Sequence, residues 1–221
     1  MRRLSGAVLA LLWLTGACAG PAPSPAVIAS WARSERPPPS GLWQFDPDDE
    51  PAGTADDGWV TGRFGDSPSP PRAFCRTATG AAAHPLAAAP PADFDGRVWL
   101  RTRVGGDETL GLAFRWVDAA HYYLARVDTR TNNVRLYRRA GDDWSLLDSR
   151  DLPVPVDRWH ELDVRARGPR LVVGLGGEPL LQADDATYPR GRLALWAGGG
   201  SSGCFDDVWL RALPRAADPG E

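Results

Sequence analysis

The chain has no lysine, one methionine, three histidines and three cysteines among its 221 residues. All 25 of its basic residues are therefore arginine, set against 28 acids. A net charge of −3 with no basic run leaves no positive field for nucleic acid or anionic lipid. His84, His121 and His160 are scattered, and no Cys or His stands at ligand spacing from Cys75 or Cys204, so zinc has no donor set. No Gly-x-Ser-x-Gly precedes a helix, which removes the usual nucleophile elbow. The abundant Arg, Ala, Gly and Pro together fit GC-rich codon usage as readily as any demand for bidentate Arg chemistry.

Long apolar runs are also missing. The run from Leu4 to Leu14 is too short to span a bilayer, and Arg2 and Arg3 precede it, so it reads as a signal segment. Leu14-Thr15-Gly16-Ala17-Cys18 resembles a bacterial lipobox, with Thr15 where that pattern prefers Leu, Val or Ile. The resemblance implies cleavage after residue 17, lipidation of Cys18 and an exported, membrane-anchored lipoprotein of the cell envelope. Ordinary secretion, with Cys18 merely nearby, is the alternative. Cleavage there removes Arg2 and Arg3 and leaves 23 Arg against 28 acids, a net charge of −5. Residues 18–40, rich in Pro, Ala and Ser, form a semi-extended spacer, and residues 214–221 a polar tail.

With Cys18 assigned to lipid, Cys75 and Cys204 remain, and an even number in an exported chain suggests a disulfide over two free thiols. Residues 41–213 suit one domain, expected to be monomeric. Period-2 patterning fills most of it, as in 97–104, 109–116, 122–128, 133–139, 143–148, 159–166, 170–175, 178–183, 191–197 and 204–211. Turn residues separate these segments, among them Thr131-Asn132-Asn133, Gly141-Asp142, Gly168-Pro169 and Gly176-Gly177. No helix is expected, and the Ala/Pro-rich 81–92 segment reads as loop. Many short, evenly spaced strands predict an all-β sandwich.

Gly111-Leu112-Ala113-Phe114-Arg115, His121-Tyr122-Tyr123-Leu124-Ala125-Arg126 and Asn133-Val134-Arg135-Leu136-Tyr137 occur in that order. Trp159-His160-Glu161-Leu162, Gly191-Arg192-Leu193-Ala194-Leu195-Trp196 and Phe205-Asp206-Asp207-Val208 follow. This series resembles the bacterial concanavalin A-like, laminin G-like domains, the group that includes the 3-keto-disaccharide hydrolase domain. The resemblance implies a jelly-roll sandwich of two antiparallel sheets, one of them concave, with carbohydrate binding as its commonest role. It also leaves open a glycoside-acting hydrolase of the 3-keto-disaccharide type. The paired-Glu signature of the glucanase branch is missing: Glu161-Leu162-Asp163 lacks a third carboxylate and reads as a solvated strand face. His160 reads as a core histidine bonded to backbone.

Two candidate sites follow from strand arithmetic. If the first and last strands lie side by side, Asp46 and Asp48 approach Asp206 and Asp207, an oxygen set that would suit calcium; solvated turn carboxylates are the plainer reading. No other cofactor is indicated. The second site is a sheet face. A turn centred on Ala119 puts Leu112, Phe114 and Trp116 with Tyr122, Leu124 and Arg126; a turn near residue 130 adds Arg135, Tyr137 and Arg139. Gly111, Ala113, Ala125, Val127, Val134 and Leu136 then face the core. Trp116, Tyr122, Arg126, Arg135 and Tyr137 become a candidate platform for a carbohydrate or envelope glycan, rings stacking on sugars and guanidinium groups donating to hydroxyls or carboxylates. Arg stems covering a twisted sheet would look the same, and a one-residue slip would exchange the two faces.

Overall fold

The computed structural model describes residues 42–49, 53–55, 58–63, 66–86, 92–105 and 107–213. The signal segment, Cys18, the spacer and the 214–221 tail lie outside the described residues. Alternation of apolar and polar side chains allows each strand to bury one face, and the described residues form fifteen strands, with a 3₁₀ turn at Pro47–Asp49. In order these are β1 (Leu42–Phe45), β2 (Gly53–Ala55), β3 (Trp59–Arg63), β4 (Arg72–Arg76), β5 (Ala82–Pro85), β6 (Phe94–Thr102), β7 (Thr109–Asp118) and β8 (His121–Asp128). Then follow β9 (Asn133–Ala140), β10 (Asp143–Asp151), β11 (His160–Arg167), β12 (Arg170–Leu175), β13 (Glu178–Asp184), β14 (Arg192–Ala197) and β15 (Gly203–Ala212). No described helix is long and apolar enough to cross a membrane.

Two antiparallel sheets result, as a jelly roll requires. The larger runs β13-β12-β11-β6-β15-β4-β3-β2 with β1 added against β15; the smaller runs β10-β9-β8-β7-β14-β5. Their inner faces meet in one apolar core that includes Phe94, Val98, Leu100, Leu112, Phe114, Val134, Leu136, Leu162, Val164 and Phe205, each 0% exposed. Burying such a side chain fully contributes about 1.5–3 kcal/mol, so this layer dominates the stability of the sandwich. Polar links join the sheets at their margins. Tyr123 Oη donates to Asp185 Oδ1 (2.6 Å) and accepts from the Tyr188 amide, while Arg138 pairs with the same Asp185. Burial, and then the adjacent Asp185, push the Tyr123 hydroxyl up to about 12.

Cys75 lies directly opposite Cys204 across β4 and β15, and the two are joined as a disulfide with Cα atoms 4.0 Å apart. It closes a loop across a sequence separation of 129 residues, worth about 4–5 kcal/mol in the chain-entropy account.

The structure revises several expectations. β1–β4 were not legible from patterning, because they are short, and β1 and β4 pair with β15, far along the chain. The 81–92 segment is not all loop: Ala82–Pro85 adds an edge strand to β14. Alanine and proline disfavour a strand locally, and the pairing with a strand over a hundred residues away overrides them. The β7 register is also shifted. Gly111 pairs with Arg126 and Phe114 with Tyr123, so Leu112 and Phe114 face the core, while Gly111 and Ala113 face outward. The reason is a bulge at Arg115, whose φ is +47°. Its guanidinium, 1% exposed, turns inward and donates to the Gly168 and Ala92 carbonyls. That extra residue returns Trp116 to the outer face, where it was expected.

Candidate functional site

The outer face of the smaller sheet is built in three rows, each read from strand register. The first row is Trp144, Arg139, Tyr122, Trp116 and Arg192, on β10, β9, β8, β7 and β14. The second is Leu146, Tyr137, Leu124, Ala113 and Ala194. The third is Ser149, Arg135, Arg126, Gly111, Trp196 and Ala83. Small side chains thus make a floor, and aromatic and arginine side chains rise on both sides. Gly111 belongs there for a packing reason: a Cβ at that position would meet the Ala125 carbonyl oxygen at 2.3 Å.

The face is concave. Trp144 and Trp196 stand on strands four places apart and in rows four residues apart, about 19 Å and 13 Å on a flat sheet. Their rings are 6.4 Å apart. The sheet therefore curls inward into a trough, and the Trp144 indole lies across it. Its ring meets Tyr122 (5.9 Å) and Tyr137 (5.8 Å) edge to face, with Arg139 5.3 Å from its centre.

All five expected platform residues, Trp116, Tyr122, Arg126, Arg135 and Tyr137, share this face, but they are not equally available. Tyr122 is 1% exposed beneath Trp144, and Trp196 is 8% exposed. Trp144, 44% exposed, is the ring open to solvent. The polar ends are held in place: Arg139 donates to the Tyr122 hydroxyl (3.2 Å) and Arg135 to the Tyr137 hydroxyl (3.3 Å). Arg126 lies over the Tyr137 ring at 5.2 Å, and Arg192 over Trp116 at 5.9 Å. Trp144, Trp196 and Arg192 were missing from the expected set. Trp144 was within reach, since the two-residue Gly141-Asp142 turn sets it opposite Arg139. Trp196 and Arg192 depend on β14 docking beside β7, a pairing no local signal announces.

The acidic site is partly assembled. β1 does pair with β15, and ligand oxygens of Asp46, Asp206 and Asp207 lie within 4.8 Å of one another, a set compatible with calcium. Asp48 stands outside it: its Oδ1 accepts from the Arg72 amide at 2.8 Å, committing it to the backbone of β4. Asp206 is fully buried and accepts from the amides of Ser69 and Asp207; burial pushes its carboxyl up to about 7.

Glu161 and Asp163 share the outer face of the larger sheet, and they are not solvated as expected. Asp163 is 1% exposed and bonds Arg97 at 2.7 Å; Glu161 reaches the same Arg97 at 3.1 Å. Burial first, then Asp163, push Glu161 up to about 7 despite that arginine. Beside them Asp95 joins Arg165 and Arg211 in a shallow hollow floored by Gly96 and walled by Trp209. His160 bonds the Pro155 carbonyl at 2.7 Å, the backbone role expected, but it is half-buried rather than in the core.

No protein-family model matches the chain, and no curated protein matches it in sequence. Solved structures do. Carbohydrate-binding module CBM66 from Bacillus subtilis aligns at 20% identity and TM-score 0.61, over 73% of this chain and 100% of that one. A Bacillus subtilis protein of unknown function with a galectin-like fold aligns at 11% identity and TM-score 0.53, over 72% and 89%. Domain 4 of AbnA, a GH43 extracellular arabinanase from Geobacillus stearothermophilus, in complex with arabinotriose, aligns at 13% and 0.51, over 78% and 82%. The chain shares their jelly-roll fold. At such identities the likeness extends to the fold alone.

Proposed function

We propose that the protein is an exported, noncatalytic carbohydrate-binding module that holds glycans in the trough of the smaller sheet. The observation that carries this reading is the half-exposed Trp144 ring set over a floor of Leu124, Ala113 and Ala194, with polar donors on both walls. An indole face offers an apolar surface for a sugar ring, and fixed Arg and Tyr donors orient its hydroxyls. Two solved neighbours support it by what they are: a carbohydrate-binding module, and an arabinanase domain in complex with arabinotriose.

The hydrolytic reading, of the 3-keto-disaccharide hydrolase type, needs an acid and a base facing the bound glycoside. Register places two described carboxylates on this face, Asp128 and Asp151, both at one end; Asp128 is 5% exposed and directed toward Arg126. Binding is the reading that suits an arginine-lined trough.

A glycan array tests the proposal, followed by titration of the best ligand. Trp144→Ala is expected to weaken binding by about 1–1.5 kcal/mol, roughly tenfold, with the fold intact because the ring is half outside. Unchanged affinity overturns the trough as the site. The location belongs to the same proposal: a module tethered through a diacylated Cys18 by the 18–40 spacer. Intact mass of membrane-extracted protein is expected to show lipid on Cys18, and a soluble form starting elsewhere refutes the anchor.

A further inference from the structure

The trough carries four arginines on a chain whose net charge is −3. Arg139 and Arg192 stand in its first row, Arg126 and Arg135 in its third, so cations line both walls of the apolar floor. Among the described residues, Arg135, Arg139 and Arg192 have no carboxylate within ion-pair distance. They are held by neutral acceptors instead: the Tyr137 hydroxyl, the Tyr122 hydroxyl with the Gly141 carbonyl, and the Leu86 carbonyl. Arg126 has a loose partner, Asp128 at 3.9 Å. This contrasts with the larger sheet, where Arg97, Arg165, Arg170 and Arg211 all face carboxylates. An acidic protein that pairs these four arginines on one sheet and leaves three of the four trough arginines without a carboxylate on the other concentrates positive potential in one trough.

We propose that the trough selects acidic polysaccharide, its carboxylate or sulfate groups received by the arginines of the two walls while a sugar ring lies on Trp144. This deepens the carbohydrate-binding reading and rests on it. A hydroxyl ligand does not require cations on both sides. A glycan with an anion on successive sugars meets them on either wall, and charge-assisted Arg contacts are about twice as strong as neutral ones. The wider protein repels polyanions, so an attraction of this kind is local to the face rather than a property of net charge.

The test compares polygalacturonate with its methyl ester, the same backbone with its charge removed, and dextran sulfate with dextran. Mature protein is expected to bind polygalacturonate or dextran sulfate at least about tenfold more tightly than the neutral counterpart. The difference should shrink as salt rises from about 20 to about 500 mM, because these contacts are solvent-accessible. Preference within the acidic pair assigns the anion as carboxylate or sulfate. Arg135→Gln and Arg139→Gln, each alone, are expected to lower acidic-glycan affinity about fivefold or more, and by a clearly larger factor than they lower neutral-glycan affinity. Arg170→Gln, on the other sheet, should change neither. Equal affinity for charged and neutral glycans overturns acidic selection while the carbohydrate reading stands. Equal loss in the Arg170 variant overturns the trough as the source of selection. Failure of every glycan, neutral and acidic, on array and in titration, overturns both.

Discussion

Replacing Glu161 with glutamine is a direct test of how the larger sheet handles its buried charge. Glu161 and Asp163 share a strand face and a single cation, Arg97, at 3.1 and 2.7 Å. One guanidinium balances one carboxylate, so burial and mutual repulsion favour keeping a proton on the pair. The carboxyl of Glu161 is pushed from 4.5 to about 7, and that of Asp163 is raised also. A raised carboxyl pKa means that the folded protein binds more protons than the unfolded chain between about pH 4.5 and 7. Stability is therefore present below pH 4.5 and declines as pH rises through that window. A shift of about 2.5 units corresponds to at most about 3 kcal/mol between its two ends. Glu161 is 14% exposed, so solvent screening removes only part of this. Glutamine imitates the protonated carboxyl. Glu161→Gln is expected to match the wild type near pH 5 and to exceed it by about 1–3 kcal/mol at pH 8. Urea unfolding at pH 5, 6, 7 and 8 measures the difference. Asp206 adds a slope of the same sign in both proteins and cancels in the comparison. A variant that runs parallel to the wild type over the whole range, or loses stability at pH 8, refutes the shared-proton account.

Reduction of Cys75–Cys204 is expected to remove about 4–5 kcal/mol, read as a lower urea midpoint with reductant than without; Cys75→Ala with Cys204→Ala should show no reductant effect. Tyr123→Phe strands the Tyr188 amide and removes one of the bonds to Asp185, and should cost about 1–3 kcal/mol in thermal or urea unfolding, more than Tyr137→Phe, whose hydroxyl accepts from Arg135 at 3.3 Å. Gly111→Ala places a Cβ 2.3 Å from the Ala125 carbonyl between two central strands, and should lower the melting temperature sharply or prevent folding. Titrating calcium into chelator-treated protein while following thermal unfolding examines the Asp46–Asp206–Asp207 group. If those oxygens hold the ion, calcium should raise the melting temperature of the wild type and not of Asp46→Asn.

Alternation along 97–104, 122–128 and 133–139 was sufficient to predict an all-β sandwich, and one short turn near residue 130 was sufficient to align β8 with β9. Tyr122, Arg126, Arg135 and Tyr137 therefore share a face in the sequence and in the structure. A period of two is a property of the backbone, and a tight turn fixes the register between its own two strands, so both survive without knowledge of the rest. Proximity of Asp46 to Asp206 and of Cys75 to Cys204 was also inferable, from closing the first strand on the last and from counting cysteines after export.

What the sequence did not disclose belongs to contacts distant along the chain. The bulge at Arg115 exists because that guanidinium finds the Gly168 and Ala92 carbonyls, in turns distant along the chain. It exchanges the faces of Leu112 and Phe114 with those of Gly111 and Ala113, which local alternation cannot foretell. β5 became a strand because β14 offered an open edge, and Trp196 and Arg192 joined the trough because β14 docks beside β7. Whether Glu161 and Asp163 are bathed in water or buried against Arg97 depended on β6 lying alongside β11. Pattern along a strand depends on backbone geometry, whereas burial and the partner across a sheet depend on the free energy of the whole packed sandwich.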